Sequence, residues 1–384
     1  MTSEQLAWHR ENGRLLDPKF DRLAKIGDRK KENEENKKTI DSNNNIKEIK
    51  EINDKINREI YLTFDDGLEQ GTEEILELLK EKGVKATFFL IGKRVESMYK
   101  RNKNLCCKLL KDIYENHAIG NHSYSHANES YNSYYREGGV VIKVENGKKI
   151  RRNVVTDFVK SRNTILYYLA IAQGKSSPSK DGYSDALLKS KNQKKTLARF
   201  PGTNTWYAKD KIIDIKYTIR LNEEYIPKQD TKEEAEALGK TYNIFGWDYE
   251  WRMENPRSND LIKKTIQEKI NNNTIRYDNL EDTDPFFDLY DKKYITYDRP
   301  VQSVEEVKDE LLDLVYSSKY NPYDSSSKIS GKVILLMHDR QFRKGKLNAE
   351  NKVDLNDKTE LKKLGKVIDY FKNLNAEFKT LDEY

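Results

Sequence analysis

The chain has 384 residues, enough for two ordinary domains or for one α/β barrel with insertions. Its 70 basic and 64 acidic residues are interleaved and leave a net charge of +6, which argues against a nucleic-acid partner because no basic stripe stands out. Hydrophobic residues make up 36% of the chain, and no apolar run reaches the roughly 18 residues that a transmembrane segment needs.

Residues 1–58 are predicted to form an N-terminal extension without catalytic groups. A short amphipathic helix is expected within residues 1–27, and residues 28–58 are a tract of lysine, glutamate and asparagine. That tract has too little apolar surface to offset the entropy of ordering it. The first residues lack the basic and then apolar layout of a signal peptide, so either the protein stays in the cytoplasm or the sequence begins after a removed leader.

From residue 59 onward, strand and helix patterns alternate, which predicts an α/β fold with a largely parallel sheet. Strands are predicted over residues 60–64, 86–92, 118–121, 197–200, 242–248, 333–337 and 377–381. Helices are predicted over residues 72–82, 95–116, 153–173, 208–216, 231–239, 258–271, 303–315 and 356–374. Residues 176–182 read as a flexible loop, and two insertions cover residues 128–152 and 272–330. The only cysteines, Cys106 and Cys107, are neighbours on a helix, so they favour packing over a disulfide or a thiolate zinc site.

Polar groups follow several of the predicted strands at their carboxyl ends. Asp65 and Asp66 end the first strand, and two adjacent carboxylates repel each other unless a cation or a proton offsets the charge. A simple Asp-Asp-Gly turn is the alternative. His122 and His126 follow the strand over 118–121, and His338 follows the strand over 333–337. Because strand ends of this kind meet at one edge of the sheet, two imidazoles and Asp66 are expected to form a catalytic zinc site.

These residues belong to a longer pattern. Over residues 59–384 the chain resembles the polysaccharide deacetylases, carbohydrate esterases with a NodB-homology domain. Five motifs carry the resemblance in the family's order: TFDDG (63–67), HSYSH (122–126), RFPG (199–202), WDYEW (247–251) and LLMH (335–338). The resemblance implies a distorted, seven-stranded TIM-like (β/α) barrel in a catalytic domain over 59–384. It also implies metal-dependent removal of acetyl groups from a glycan.

The resemblance also implies a metal centre and a base. Asp66, His122 and His126 would hold a divalent metal, with Zn²⁺ the leading expectation and Co²⁺ or Ni²⁺ compatible with the same ligands. Asp65 would be the general base that deprotonates the metal-bound water. Arg199 would pair with Asp65 and keep it ionised and oriented.

His338 would be the general acid that protonates the leaving amine, with either Asp248 or Asp339 favouring its imidazolium form. A backbone N–H beyond Pro201 would help to stabilise the oxyanion, and Gly202 would leave that amide accessible. An apolar wall around the acetyl methyl group is expected from four residues, for which core packing is the alternative: Trp206, Trp247, Trp251 and Leu336.

The chain departs from the family pattern in three places. WDYEW lacks the longer spacer that many members have, which weakens the assignment of Asp248 and Trp251. Gly202 stands where many members have a bulky aromatic residue, and we expect this to open the groove. The two insertions are expected to reshape the substrate cleft.

The leading functional expectation is removal of N-acetyl groups from a GlcNAc-containing polysaccharide, such as peptidoglycan, poly-N-acetylglucosamine or a chitin-like polymer. An O-acetyl esterase acting on a decorated glycan is the close alternative, since the same base and metal would serve an easier leaving group. A non-catalytic glycan-binding protein is a third alternative, disfavoured because Asp65, Arg199 and His338 are all present. Resemblance implies an extracytoplasmic location (periplasm, cell envelope or secreted), while the missing leader leaves the cytoplasm open.

Overall fold

The computed structural model describes residues 58–129, 131–175, 195–208, 231–251, 302–316, 331–342 and 358–384, together with short strands between these ranges. The chain divides into two units, residues 1–56 and 57–384, and all described residues belong to the second. The predictions for residues 1–57, for the loop over 176–182 and for the helix over 258–271 lie outside the described residues. The domain boundary at residue 58 stays a prediction.

Helices and strands alternate along the described chain, as predicted. The helices are α1 (Thr72–Lys82), α2 (Gly92–Arg101), α3 (Lys103–Asn116), α4 (Tyr131–Arg136), α5 (Val154–Ala172), α6 (Lys232–Gly239), α7 (Val304–Tyr316) and α8 (Thr359–Asn373). The longer strands and those that build the main sheet are β1 (Glu59–Gly67), β2 (Thr87–Leu90), β3 (Ala118–Asn121), β4 (Val140–Glu145), β5 (Lys148–Arg152), β6 (Thr196–Ala198), β7 (Tyr207–Ala208) and β8 (Lys211–Ile212). Further along the chain are β9 (Arg220–Leu221), β10 (Glu224–Tyr225), β11 (Tyr242–Ile244), β12 (Tyr249–Glu250), β13 (Phe287–Asp288), β14 (Lys293–Tyr294), β15 (Lys319–Asn321), β16 (Asp324–Ile329), β17 (Lys332–His338), β18 (Lys346–Leu347), β19 (Val353–Asp354) and β20 (Glu377–Phe378). Among the described helices, none has both the length and the apolar character needed to cross a membrane.

One segment closes the parallel sheet. The strands β17, β1, β2, β3 and β6 lie side by side in that order and run parallel. The segment over residues 242–251 pairs with both edges of this sheet, because β11 runs parallel to β6 and β12 runs parallel to β17. The sheet therefore curls into a ring with helices packed against it, and the predicted barrel-like α/β fold is confirmed.

Strict alternation along β1 separates two apolar cores. Ile60, Leu62 and Phe64 pack outward, in the large core shared with the helices. Tyr61 packs inward, in a smaller core that fills the ring. Because side chains along a strand alternate between faces, Asp65 follows Tyr61 onto the inner face.

The structure corrects four element boundaries. The helix predicted over 95–116 is two helices, because the side chain of Asn102 accepts a hydrogen bond from the backbone N–H of Leu105 at 3.1 Å and so starts a new helix. The helix predicted near 208–216 is wrong at the residues described there, where β7 and β8 pair as antiparallel strands. The strand predicted over 242–248 is shorter, since only β11 lies in this range and β12 begins after it. Of the last predicted strand only β20 forms, followed by a 3₁₀ turn at Leu381–Glu383.

Glu59 is a buried carboxylate at the start of β1 that three side chains hold in its ionised form. The hydroxyl of Tyr61 lies 2.5 Å from it, Nζ of Lys332 lies 2.7 Å away and Nζ of Lys379 lies 2.8 Å away. Burial alone would raise the pKa of Glu59, but hydrogen bonds from Lys332, Lys379 and Tyr61 lower it from 4.5 to about 2. The stabilisation is therefore fully present above pH 4.5 and is lost as the pH falls from about 4.5 to about 2.

We expect Glu59→Gln to lower the free energy of unfolding at pH 7 by ~3–3.5 kcal/mol, since one unit of pKa shift corresponds to ~1.4 kcal/mol. The difference from the parent protein should shrink below pH 4.5 and disappear near pH 2, where the parent carboxylate is protonated as well. Urea unfolding at several pH values measures this. Glu377→Gln is the matched control, since Glu377 also contacts Lys379 but has a side chain that is 53% exposed. A difference that stayed constant with pH would contradict this account of Glu59.

Candidate active site

A bulge brings both carboxylates of TFDDG to the same place. Asp65 faces the inside of the ring, and simple alternation would turn Asp66 to the opposite face. Asp66 instead has a φ of 75°, and the register with β2 shifts between Asp65 and Gly67. Such a bulge re-aims a side chain at the end of a strand. Both carboxylates are therefore buried at the carboxyl end of β1.

The two histidines of HSYSH meet Asp66 there. His122 follows β3 directly, and His126 begins a short 3₁₀ turn. Nε2 of His126 lies 3.2 Å from Oδ1 of Asp66, and Nε2 of His122 lies 3.5 Å from the same oxygen. One ligand atom from each of the three residues lies within 4.8 Å of the other two. The three residues that the sequence singled out are thus brought together.

This cluster has the features of a metal site. Oδ1 of Asp66 is buried and accepts no hydrogen bond from any described residue, although a buried carboxylate oxygen normally has a partner. Ligand atoms ~2.0–2.2 Å from a tetrahedral zinc lie ~3.3–3.6 Å apart, which is close to the separations of the two Nε2 atoms from this oxygen. Nδ1 of His122 lies 2.9 Å from the carbonyl oxygen of Arg199, so its proton has a partner and Nε2 is left as the ligand atom. The residues present therefore fit a divalent metal.

Arg199 holds Asp65 beside this cluster. Its Nη1 donates to Oδ1 of Asp65 at 2.8 Å and to the hydroxyl of Thr63 at 2.7 Å. Its Nη2 and Nε donate to the backbone carbonyls of Gly246 and Phe245 at 2.7 and 3.1 Å. The guanidinium is fully buried and has a fixed orientation. The pairing of Arg199 with Asp65 matches the expectation from the sequence.

The environments of the two neighbouring carboxylates push their pKa values apart. Burial raises the pKa of Asp65, and the attraction of Arg199 offsets this only in part. Burial acts on Asp66 in the same direction, but the charges of His126, Arg340 and Arg94 outweigh it and hold the pKa of Asp66 well below its usual range. A separation of this kind distinguishes a base that takes up a proton from a carboxylate that stays ionised.

A charge network behind Asp66 was missed by the sequence reasoning. Nη1 of Arg340 contacts Oδ2 of Asp66, the oxygen that does not face the histidines. Nη1 of Arg94 donates to the backbone carbonyl of Asp66 at 2.8 Å and pairs with Glu69 at 2.8 Å, and Glu69 also accepts from the backbone N–H of Arg340 at 3.2 Å. Arg340 lies two residues after the LLMH motif, and Glu69 lies two residues after TFDDG. Their closeness to these motifs in the sequence is the one feature that could have indicated a place near the site.

The structure corrects the expected partner of His338. Oδ2 of Asp248 accepts a hydrogen bond from the backbone N–H of Ile334 at 2.8 Å. Ile334 lies ~13 Å before His338 along β17, so Asp248 is used far from that histidine. Asp339 is buried against the hydroxyl of Thr72. Burial and then the charge of Arg340 lower the pKa of His338 to about 4, and the charges that oppose this are Asp66 and Glu250. Neither Asp248 nor Asp339 is among the largest charges acting on the pKa of His338, whereas Glu250 of WDYEW raises that pKa together with Asp66.

The six residues expected to bind substrate fall into different environments. Trp251 lies in the outer core and is fully buried, so it has the packing role given as its alternative. Trp206 and Trp247 pack in or against the inner core, and Trp247 lies with its ring centroid 5.7 Å from the guanidinium carbon of Arg199. Leu336 is buried on β17, two residues before His338. Side chains two residues apart on a strand share a face, so Leu336 lies on the inner face with His338.

Gly202 does not open the groove as expected. Its φ is 66°, and a Cβ atom on it would lie 2.5 Å from Cε1 of Tyr131. The ring of Tyr131, on α4, therefore occupies the space beside Gly202. The neighbouring carbonyl of Pro201 accepts a hydrogen bond from the hydroxyl of Tyr135 at 2.7 Å. The loop that carries RFPG is thus covered by the first insertion.

Known proteins are similar to parts of this chain. A peptidoglycan-N-acetylglucosamine deacetylase of Bacillus cereus is 46% identical over 71 residues, which are 18% of this chain and 23% of that protein. A chitin deacetylase of Pestalotiopsis sp is 46% identical over 66 residues, which are 17% of this chain and 21% of that protein. The chain thus matches under a quarter of the length of these two curated relatives.

Solved structures align along more of the chain. The catalytic domain of a peptidoglycan N-acetylglucosamine deacetylase from Eubacterium rectale aligns over 85% of this chain and 89% of that one, with a TM-score of 0.39 and 16% identity. A Streptococcus mutans CE4 esterase aligns over 86% of this chain and 90% of that one, with a TM-score of 0.39 and 18% identity.

A family model described as polysaccharide deacetylase matches residues 52–161, the segment that contains TFDDG and HSYSH. Two of the five motifs, including all three candidate metal ligands, therefore lie inside the matched segment. The resemblance of this chain to the polysaccharide deacetylases, inferred from its motifs, is confirmed.

Proposed function

We propose that this protein is a metal-dependent hydrolase that removes N-acetyl groups from a GlcNAc-containing polysaccharide. The observation that carries the proposal is the convergence of Asp66, His122 and His126 beside the Asp65–Arg199 pair. A divalent metal held by the three ligands would supply the Lewis acidity that activates water and polarises the acetyl carbonyl. Zinc suits two imidazoles and one carboxylate, and Co²⁺ or Ni²⁺ suits them too.

Asp65 is the general base in this proposal. Its Oδ2 lies 3.6 Å from Nε2 of His122, so the carboxylate borders the metal ligands without being one of the three that converge. Its raised pKa makes it a better proton acceptor than an ordinary aspartate, while Arg199 fixes the carboxylate's orientation through Oδ1. Oδ2 is therefore the atom that takes the proton from the attacking water.

His338 supplies a proton to the leaving nitrogen. With a pKa of about 4 its imidazole is neutral at pH 7 before the reaction, so it must gain a proton as the reaction proceeds, and the proton that Asp65 takes from the attacking water balances this gain. Negative charge that develops on the acetyl oxygen raises the proton affinity of a nearby imidazole, and the charges of Asp66 and Glu250 act in the same direction. Once formed in this buried site, the imidazolium is a strong acid, which suits a poor amine leaving group.

The proposed substrate class rests on the similar proteins together with the site. The relatives are named for deacetylation of peptidoglycan N-acetylglucosamine and of chitin, both of which contain N-acetylglucosamine. An acetamide needs activated water and a protonated leaving group, and Asp65 and His338 offer one group for each task. The partner proposed is thus an acetylated glycan outside the cytoplasm.

Removal of the metal tests this function. We expect the purified protein to release acetate from chitooligosaccharides or peptidoglycan, to lose this activity with a chelator and to regain it when zinc is added. Full activity in the presence of chelator would contradict the metal dependence. If no acetate is released from either substrate while acetylated xylan is hydrolysed, an O-acetyl esterase replaces the proposed amidase.

A further inference from the structure

The short helix α4 of the first insertion directs three tyrosine side chains into the protein. Tyr131, Tyr134 and Tyr135 are all buried. The hydroxyl of Tyr135 donates to the carbonyl of Pro201 at 2.7 Å, and that of Tyr134 donates to Asp157 at 3.1 Å. The hydroxyl of Tyr131 has a different kind of partner, since it lies 3.3 Å from Nδ1 of His126, a candidate metal ligand.

The direction of this hydrogen bond follows from the geometry of the imidazole. Nε2 of His126 lies 3.2 Å from Oδ1 of Asp66 and is the ring nitrogen that faces the candidate metal site. A histidine that binds a metal through Nε2 carries its proton on Nδ1. Nδ1–H therefore donates to the phenol oxygen of Tyr131. The two rings also meet edge to face, with centroids 5.7 Å apart and planes at 85°.

The position of Tyr131 is bounded on its other side by Gly202. Any side chain at residue 202 would enter the space of the tyrosine ring, because a Cβ atom there would lie 2.5 Å from Cε1. Tyr131 is thus enclosed between the RFPG loop and His126. By contrast, the outer nitrogen of His122 is held by a backbone carbonyl, that of Arg199, which directly follows β6 of the barrel.

We propose that Tyr131 is a positioning residue that fixes the ring of His126 for metal binding, so that the first insertion completes a centre whose other ligands are oriented by the barrel. The proposal rests on the metal site of the proposed function. Outer partners of this type set the tautomer and orientation of a ligating histidine, and losing one typically lowers metal affinity ~10–100-fold.

Tyr131→Phe tests the proposal because it removes one oxygen and keeps the ring beside Gly202. We expect the zinc affinity, measured by competition with a chromophoric chelator, to fall ~10-fold or more. The visible absorption spectrum of the Co²⁺-loaded protein should also change, since it reports ligand geometry. Tyr135→Phe is the matched control: it removes a buried hydroxyl from the same helix, and its zinc affinity and Co²⁺ spectrum should match those of the parent protein.

Three results would overturn the proposal, and they are distinguishable. If the parent protein binds neither zinc nor cobalt, the proposed function fails and this inference fails with it. If the parent binds zinc and Tyr131→Phe binds it equally well with the same Co²⁺ spectrum, only the role of Tyr131 is refuted. A loss of affinity of the same size in Tyr135→Phe would also refute it, because the effect would then come from loosening of α4. The thermal midpoint of each metal-free variant shows whether the fold is intact.

Discussion

Asp65→Asn is expected to lower kcat for acetate release by ~10²–10⁴-fold, the range typical of losing a general base. Asparagine has nearly the same shape, and its side-chain oxygen can still accept the hydrogen bond that Arg199 donates at 2.8 Å. It cannot take a proton from water at neutral pH. Because Asp65 is not among the three converging ligands, zinc affinity should stay within a few-fold of the parent value.

Asp66→Asn is the matched comparison for Asp65→Asn. The substitution is the same and the position is the next residue, but Asp66 is the carboxylate that both histidines face. We expect this variant to lose zinc affinity as well as activity, and added zinc to restore part of the activity. If instead Asp65→Asn lost the metal and Asp66→Asn kept it, the roles of the two carboxylates would have to be exchanged.

Arg199→Leu is expected to be the most destabilising of the substitutions considered, at ~3–5 kcal/mol, because it leaves Asp65 as an unpaired buried charge. It would also leave the carbonyls of Phe245 and Gly246 without their donor. The pKa of Asp65 should rise further, since Arg199 is the largest of the charges that lower it. If the variant folds, the acidic limb of its pH–activity profile should therefore move to higher pH.

Urea unfolding measures the loss of stability in Arg199→Leu. Arg199→Lys should recover part of it, because the charge is kept while the several directed contacts are not. Arg151→Gln is the control: Arg151 pairs with Glu137, whose side chain is 57% exposed, and such pairs contribute less than ~1 kcal/mol. Equal losses for Arg199→Leu and Arg151→Gln would show that the buried pair has no special importance.

Much of the fold was predictable because strands and motifs coincide. Alternation and apolar runs identified β1, β3 and β17, and parallel strands must bring their carboxyl ends to one edge. Asp66, His122 and His126 could therefore be predicted to meet without any distances. The contact between Arg199 and Asp65 was implied by the family resemblance.

The errors arise where tertiary contacts decide the outcome. No local sequence pattern shows that Asp248 accepts a hydrogen bond from the backbone of Ile334, or that the ring of Tyr131 fills the space beside Gly202. Arg340 and Glu69 meet only because β1 and β17 pair in register, a contact between distant parts of the chain. Trp251 is placed in the core by helices that pack outside the sheet. The WDYEW motif alone does not show whether Trp251 packs in the core or lines the substrate groove.

The pairing of β1 with β17 also has a consequence for how the chain is made. The hydroxyl of Thr63 donates to the carbonyl of Leu335, which is 272 residues later. At the ribosome's rate of about 5–20 residues per second, the partner strand is synthesised ~15–55 s after β1. During that interval one edge of β1 lacks its partner strand, and Asp66 lacks the contact with Arg340, which follows β17. A chaperone that bound this unpaired strand edge would protect the nascent chain mainly in that period.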